Sequence, residues 1–215
     1  MLNHPKPDWP FIEPLAERLS GRLLDAPPAL ANAKLVPDWA PSQPFARPPT
    51  PAAVLIGLVR RPEGHTILYT ERSPDLRTHS GQVAFPGGKI DAGDADAGAA
   101  ALREANEEVG LVPAEATILG YMEPYFTGTN YLIIPVVAEV IPGGPFIPNP
   151  GEVHSVFEVP LKRIIEVETY GRFRVQRGGK EHSTWQIDHD GHTIWGITAN
   201  ITRQFRDLMM DEVVA

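Results

Sequence analysis

The chain contains no cysteine. That excludes disulfides, thiolate zinc sites, iron–sulfur clusters and a cysteine nucleophile. Long apolar runs are also missing: none approaches the roughly 20 residues of a membrane-spanning helix. Residues 1–10 show no basic-then-apolar signal pattern, and residues 211–215 no lipidation or retention motif. The expected location is therefore cytoplasmic, with no membrane partner. Basic residues are in deficit. Lys and Arg total 19 against 27 Asp and Glu, a formal net charge of −8. Such a chain lacks the positive field that nucleic-acid backbones require, so no nucleic-acid partner is expected. Handling of phosphates would then need local cations or a metal. The remainder is ordinary: 215 residues, 42% hydrophobic and 21% charged, enough for one domain with a real core.

Proline is abundant, with 23 residues. Pro27, Pro28, Pro37, Pro41, Pro44, Pro48, Pro49 and Pro51 crowd one stretch. Each fixes φ and removes a donor, which forbids a long helix or central strand there. Before it, Phe11, Leu15, Leu19 and Leu23 recur at helical spacing and predict a helix over 11–24. Residues 1–51 thus read as an N-terminal helix and a proline-rich arm, and 52–215 as the folded domain. Within that domain, 53–59 and 66–70 predict a hairpin, and 73–81 a loop. A short strand over 83–85 leads into a Pro86-Gly87-Gly88 turn. A helix is expected over 97–109, stopped by Gly110. Strands are expected near 117–122, 132–140, 153–159, 173–176, 184–187 and 193–197. A short helix should follow Pro160, and a terminal helix should cover 198–210. Strands and helices mix without regular βαβ alternation, which favours an α+β or sandwich architecture.

The segment 85–111 carries the chemistry. Its helix places Glu104, Glu107 and Glu108 in the last two turns, where the helix dipole disfavours carboxylates. Glu104 and Glu108 are also a like-charged i,i+4 pair, partly offset by Arg103 with Glu107. A solvated acidic face would explain this at a cost of a few tenths of a kcal/mol per pair. A divalent metal site explains it differently. Mg²⁺ or Mn²⁺ favours oxygen ligands and would remove the repulsion.

Gly88 and then Arg103-Glu104-Ala105-Asn106-Glu107-Glu108-Val109-Gly110-Leu111 resemble the Nudix box. There are three departures. Ala105 replaces a larger aliphatic residue, Asp94 replaces the usual spaced glutamate, and the Asp94–Arg103 spacing is one residue longer. Upstream, Leu68-Tyr69-Thr70-Glu71-Arg72-Ser73, Arg77, Gly81 and Phe85-Pro86-Gly87-Gly88 resemble a motif of the coenzyme A pyrophosphatase branch. Tyr69 is the single mismatch, and Asp91, Asp94 and Ala105 are similar to features of that branch. Asn149-Pro150-Gly151-Glu152-Val153, Val156-Phe157-Glu158-Val159-Pro160-Leu161 and Ile194-Trp195-Gly196-Ile197-Thr198-Ala199 resemble its later landmarks. The resemblance spans roughly 52–210.

This resemblance implies an α/β/α sandwich around a central mixed β-sheet. It implies Mg²⁺- or Mn²⁺-dependent hydrolysis of the coenzyme A pyrophosphate, giving 3′,5′-ADP and 4′-phosphopantetheine. Other nucleoside diphosphate derivatives, or a non-catalytic binding module, are the alternatives. Glu104 and Glu108 would be metal ligands, and Glu107 a further ligand or the partner of Arg103, which would orient the set. Gly87 and Gly88 would let the backbone approach, with the Gly88 carbonyl near the metal. The general base is Glu107 or Glu152. Arg72, Arg77 and Lys89 are candidates for substrate phosphates. Homodimerisation follows by family analogy. Phe126 and Tyr131 flank a loop that can pack on adenine or pantetheine. Trp185 and Trp195 read as core or dimer packing, and His79 receives no role.

Overall fold

The computed structural model describes residues 15–37, 39, 41, 44–75, 81–177 and 180–210. Helix α1 spans Leu15–Leu19, with Leu15 and Leu19 buried. The helix predicted over 11–24 therefore ends early; its first four residues lie outside the described set. Gly21 takes a left-handed φ of 69°, which terminates the turn. Leu24 then pairs by backbone with Tyr121, through hydrogen bonds of 2.8 and 2.9 Å. Leu23 still reaches the core. Among the described residues of the proline-rich stretch, the only helical turn is a 3-10 turn at Leu30–Asn32.

Strand β1 (Thr50–Arg61) turns into β2 (Gly64–Arg72), with Leu58 opposite Ile67 and Arg61 opposite Gly64. Both strands outrun their predicted bounds. Next come β3 (Val83–Ala84), β4 (Gly87–Lys89), α2 (Ala97–Val109), β5 (Ala116–Tyr121), β6 (Tyr125–Phe126), β7 (Tyr131–Val140), β8 (Val153–Pro160) and α3 (Leu161–Ile165). Eight of these strands form one sheet in the order β3-β2-β1-β7-β5. Strand β4 also pairs β1, β6 pairs β7, and β8 pairs β2. The β1–β7 pair is parallel and the other pairs are antiparallel, so the sheet is mixed.

Strand β1 is apolar almost throughout because both its faces are covered. Ala53, Leu55 and Val59 pack against α2 with Ile134, Val136 and Val140 of β7. Ile56 and Leu58 face the opposite way, toward Leu161, Ile164 and Phe205. Ala100, Ala101 and Ala105 of α2 are fully buried against the sheet. Their small size lets the helix sit close, and a larger residue there would overpack the interface at about 1–3 kcal/mol.

The remaining strands, β9 (Tyr170–Arg177), β10 (Lys180–His189) and β11 (His192–Trp195), form a separate antiparallel sheet. Helix α4 (Gly196–Met210) follows at once, two residues before its predicted start. Gly196 turns the chain at a φ of 67°. This second layer completes the α/β/α arrangement expected from the sequence. No helix among the described residues is long and apolar enough to cross a membrane.

Candidate active site

Helix α2 is fixed at both ends. The Asp96 carboxylate accepts the Ala99 N–H at 2.8 Å, a cap worth about 1 kcal/mol. Gly110 closes the helix in the left-handed region and donates to the Asn106 carbonyl at 3.0 Å. The loop before β8 then docks on the last carbonyls. Ile147 N–H donates to Val109 O at 2.9 Å, and Asn149 N–H to Glu108 O at 2.8 Å. The same loop delivers Glu152. Its N–H donates to Asn149 O at 3.0 Å, and its carbonyl accepts the Ser73 N–H at 2.9 Å. A carboxylate far along the chain is thereby tied to the end of α2 without a direct side-chain contact.

Glu108 is only 3% exposed. Its carboxylate accepts the Gly87 N–H at 3.2 Å, and one oxygen lies 3.9 Å from the Arg72 guanidinium. Burial pushes its carboxyl up to about 7, and the negative charges of Glu104 and Glu152 push the same way. The Gly87 N–H and Arg72 only partly oppose this. Burial likewise raises Glu104, while Arg103 resists and Glu107 and Glu152 add to the rise. Glu104 folds over Gly88, so closely that a Cβ there would overlap its carboxylate. A Cβ on Gly87 would instead overlap the Ala53 carbonyl of β1. The Pro86-Gly87-Gly88 segment is thus more than the predicted turn. Its glycines form β4, pressed between β1 and α2.

Arg103 gathers the acidic residues around itself. It donates to both Asp94 oxygens at 2.9 and 3.0 Å, to Glu104 at 3.0 Å, to Glu107 at 3.3 Å and to the Lys89 carbonyl at 3.1 Å. The planar guanidinium can serve so many acceptors at once, whereas an ammonium has only three donors. The arginine beside it holds Asp94 below the usual carboxylate range. The longer Asp94–Arg103 spacing noted in the sequence therefore does not prevent contact.

The structure brings Glu104, Glu108, Arg103, Gly87, Gly88 and Arg72 into one cluster, with Glu152 within its electrostatic reach. Glu107 sits at the exposed edge, engaged by Arg103. Lys89 joins through its carbonyl; its side chain is exposed and, by strand alternation, leaves on the side away from Glu104. Arg77 lies outside the described residues, as does His79. Sequence reasoning assigned no role to Asp94 and did not foresee the docked 147–149 loop. Asp94 stands out in the sequence only as a departure at the spaced acidic position of the box, which does not name Arg103 as its partner, and the loop acts through its backbone.

Three or more His, Asp or Glu side chains gathered tightly enough to hold a metal are not found among the described residues. Yet the donor set fits a hard divalent cation. Glu104 and Glu108 supply oxygen only; burial and neighbouring carboxylates raise both, Glu107 and Glu152 acting on Glu104, Glu104 and Glu152 on Glu108, and Glu104 leans on Arg103. A bound cation would relieve that repulsion and hold both carboxylates ionised.

The NUDIX domain family matches residues 49–177. The "Uncharacterized Nudix hydrolase NudL" of Escherichia coli (strain K12) is 43% identical over 153 residues, covering 71% of this chain and 79% of that protein. Its namesake from Salmonella paratyphi B is 42% identical over the same length and shares of the two chains. Among solved structures, a Nudix hydrolase from M. Smegmatis, RenU, matches with a TM-score of 0.52 and 18% identity. That match covers 79% of this chain and 92% of RenU, and at such identity it speaks for the fold alone.

Proposed function

Because the chain belongs to the Nudix hydrolase family, whose pyrophosphohydrolase chemistry uses a divalent cation, we propose that its own substrate is coenzyme A or a derivative and its metal Mg²⁺ or Mn²⁺. The products are 3′,5′-ADP and 4′-phosphopantetheine, acylated where the substrate was. The observation that carries the site assignment is Glu108: a carboxylate buried to 3% exposure, facing Gly87 N–H and Arg72, with Glu104 one turn away. The coenzyme A assignment rests on the Leu68-to-Gly88 motif, whose described part ends at this same cluster. A homodimer in the cytoplasm belongs to the same reading.

A divalent cation, when bound, would supply charge neutralisation of the diphosphate and a more acidic water molecule. Every other part is the chain's own. Glu104 and Glu108 would hold the cation. Arg103 fixes Glu104 from one side and ties it to Asp94. Arg72 faces the diphosphate from the end of β2. The water oxygen attacks one phosphorus, and the bond from that phosphorus to the bridging oxygen breaks. The water's proton passes to Glu152, which shares the field of Glu104 and Glu108, whereas Glu107 is engaged by Arg103. Catalysis is then chiefly positioning and electrostatic stabilisation.

The test is a product assay by mass spectrometry with coenzyme A, ADP-ribose and NADH, each with Mg²⁺, Mn²⁺ or chelator, beside Glu108→Gln. Metal-dependent 3′,5′-ADP and phosphopantetheine, absent in the variant, support the reading. Cleavage of only the other two diphosphates overturns the substrate. No cleavage of any overturns the catalytic assignment.

A further inference from the structure

A cavity of about 420 Å³ adjoins the acidic cluster. Two residues join them. Arg72 lines the cavity and approaches Glu108, and Val54 lines it from behind Gly87. The cavity lies between β1 and β7 of the large sheet and β10, β11 and the first turn of α4. Its size is in the range of small-molecule sites.

Its walls do not come from one segment. Val54, Phe85, Tyr131 and Ile133 belong to the stretch matched by the family, 49–177. Trp39, His182, Trp195 and Asn200 lie outside it. Trp39 closes the cavity from the proline-rich arm. Its indole lies edge-on to His182, with ring centres 5.8 Å apart, and it packs so tightly on Gly128 that a Cβ there would overlap it. Asn200 is held from three sides. Its oxygen accepts from Thr184 at 2.8 Å and from the Trp185 N–H at 3.3 Å, and its amide donates to the Tyr125 hydroxyl at 2.8 Å. That wall is rigid, whereas the Trp39 wall is supplied by the arm.

The charge of the lining chooses the moiety. Among the described residues it carries one arginine, Arg72, at the end nearest Glu108, and no lysine and no carboxylate. A half of the substrate that bears an extra phosphate would find no second guanidinium or ammonium among the described lining residues. An uncharged half with apolar groups and amides would find Val54, Ile133 and Ile197 on one side and Gln82, Thr129 and Ser183 on the other. We propose that this cavity binds the uncharged half of the diphosphate substrate and that Trp39 is its specificity-determining residue. On the coenzyme A reading, from which this inference extends, that half is pantetheine.

The test uses the full chain, Trp39→Ala and Trp39→Phe, with pantetheine and adenosine as phosphate-free probes in isothermal titration calorimetry. Pantetheine should bind the parent chain and adenosine should not. Trp39→Ala should weaken pantetheine about tenfold, the scale of one lost aromatic wall, and Trp39→Phe should restore most of it. With whichever diphosphate is hydrolysed, Trp39→Ala should raise KM more than it lowers kcat. Circular dichroism melts of the variants, matching the parent, show that the fold is intact. Equal pantetheine affinity in a folded Trp39→Ala variant overturns the role of Trp39. Binding of adenosine in place of pantetheine overturns the assignment of the cavity. Calorimetry needs no turnover, so failure to hydrolyse coenzyme A is read separately from failure of this site.

Discussion

Replacing Glu108 by glutamine should stabilise the metal-free protein above neutral pH while removing its activity. The carboxyl of Glu108 is raised from the ordinary 4.5 to about 7, chiefly by burial. A raised carboxyl means that the folded state binds more protons than the unfolded chain between those two values. Stability therefore falls as pH rises through this window and levels off above it. The rise corresponds to about 3 kcal/mol, at ~1.4 kcal/mol per tenfold change in proton affinity. Glutamine keeps an oxygen for the Gly87 N–H and carries no charge, so most of that penalty disappears. At about 2–4 °C per kcal/mol for a chain of this size, the variant should melt about 5–10 °C higher at pH 8. Near pH 4.5 the two proteins should converge. The assay is thermal denaturation in chelator from pH 4.5 to 9. Other titrating groups are common to both proteins, so the difference curve reports Glu108 together with its coupling to Glu104 and Glu152. Parallel curves across that range would refute the buried, strained carboxylate.

Three further perturbations follow from the same geometry. Glu152→Gln removes a negative charge that raises both Glu104 and Glu108, so the Glu108 midpoint, read by carboxyl infrared or NMR titration, should fall below 7; an unmoved midpoint would detach Glu152 from the site. Arg103→Lys cannot hold both Asp94 oxygens, Glu104 and the Lys89 carbonyl together; kcat should fall at least about tenfold with a stability loss of only about 1 kcal/mol, measured by steady-state kinetics and urea titration. Gly88→Ala and Gly87→Ala should differ in kind. The first displaces the flexible Glu104 carboxylate and lowers activity in a folded protein, while the second strikes the β1 backbone and costs about 1–3 kcal/mol of stability by denaturant titration.

What was legible in the sequence was local. Helix α2 occupies 97–109 as predicted because alanine propensity, the Asp96 cap and the Gly110 stop all act within a few residues. The i,i+4 spacing of Glu104 and Glu108, against the helix dipole, points to the cluster from the sequence alone. Long-range features were not legible. Strands near 173–176, 184–187 and 193–197 are expected from the sequence, but their pairing into a sheet of their own depends on partners that no local pattern names. The early end of α1 depends on Gly21 and on Leu24 pairing with a strand nearly a hundred residues away. The hold of Arg103 on Asp94 and the place of Trp39 in a cavity wall belong to tertiary packing. Trp195, read as packing, lines that cavity and also packs on Phe173, with ring centres 4.8 Å apart.

The central claim is that Glu104 and Glu108 together hold the divalent cation. Its most direct test is Mn²⁺ binding followed by electron paramagnetic resonance, without substrate, for the parent chain and Glu108→Gln. The account predicts saturable binding by the parent that strengthens as pH rises through about 7, as Glu108 gives up its proton, and loss of that binding in the variant. Equal Mn²⁺ affinity in the two proteins, with no dependence on pH, would contradict it.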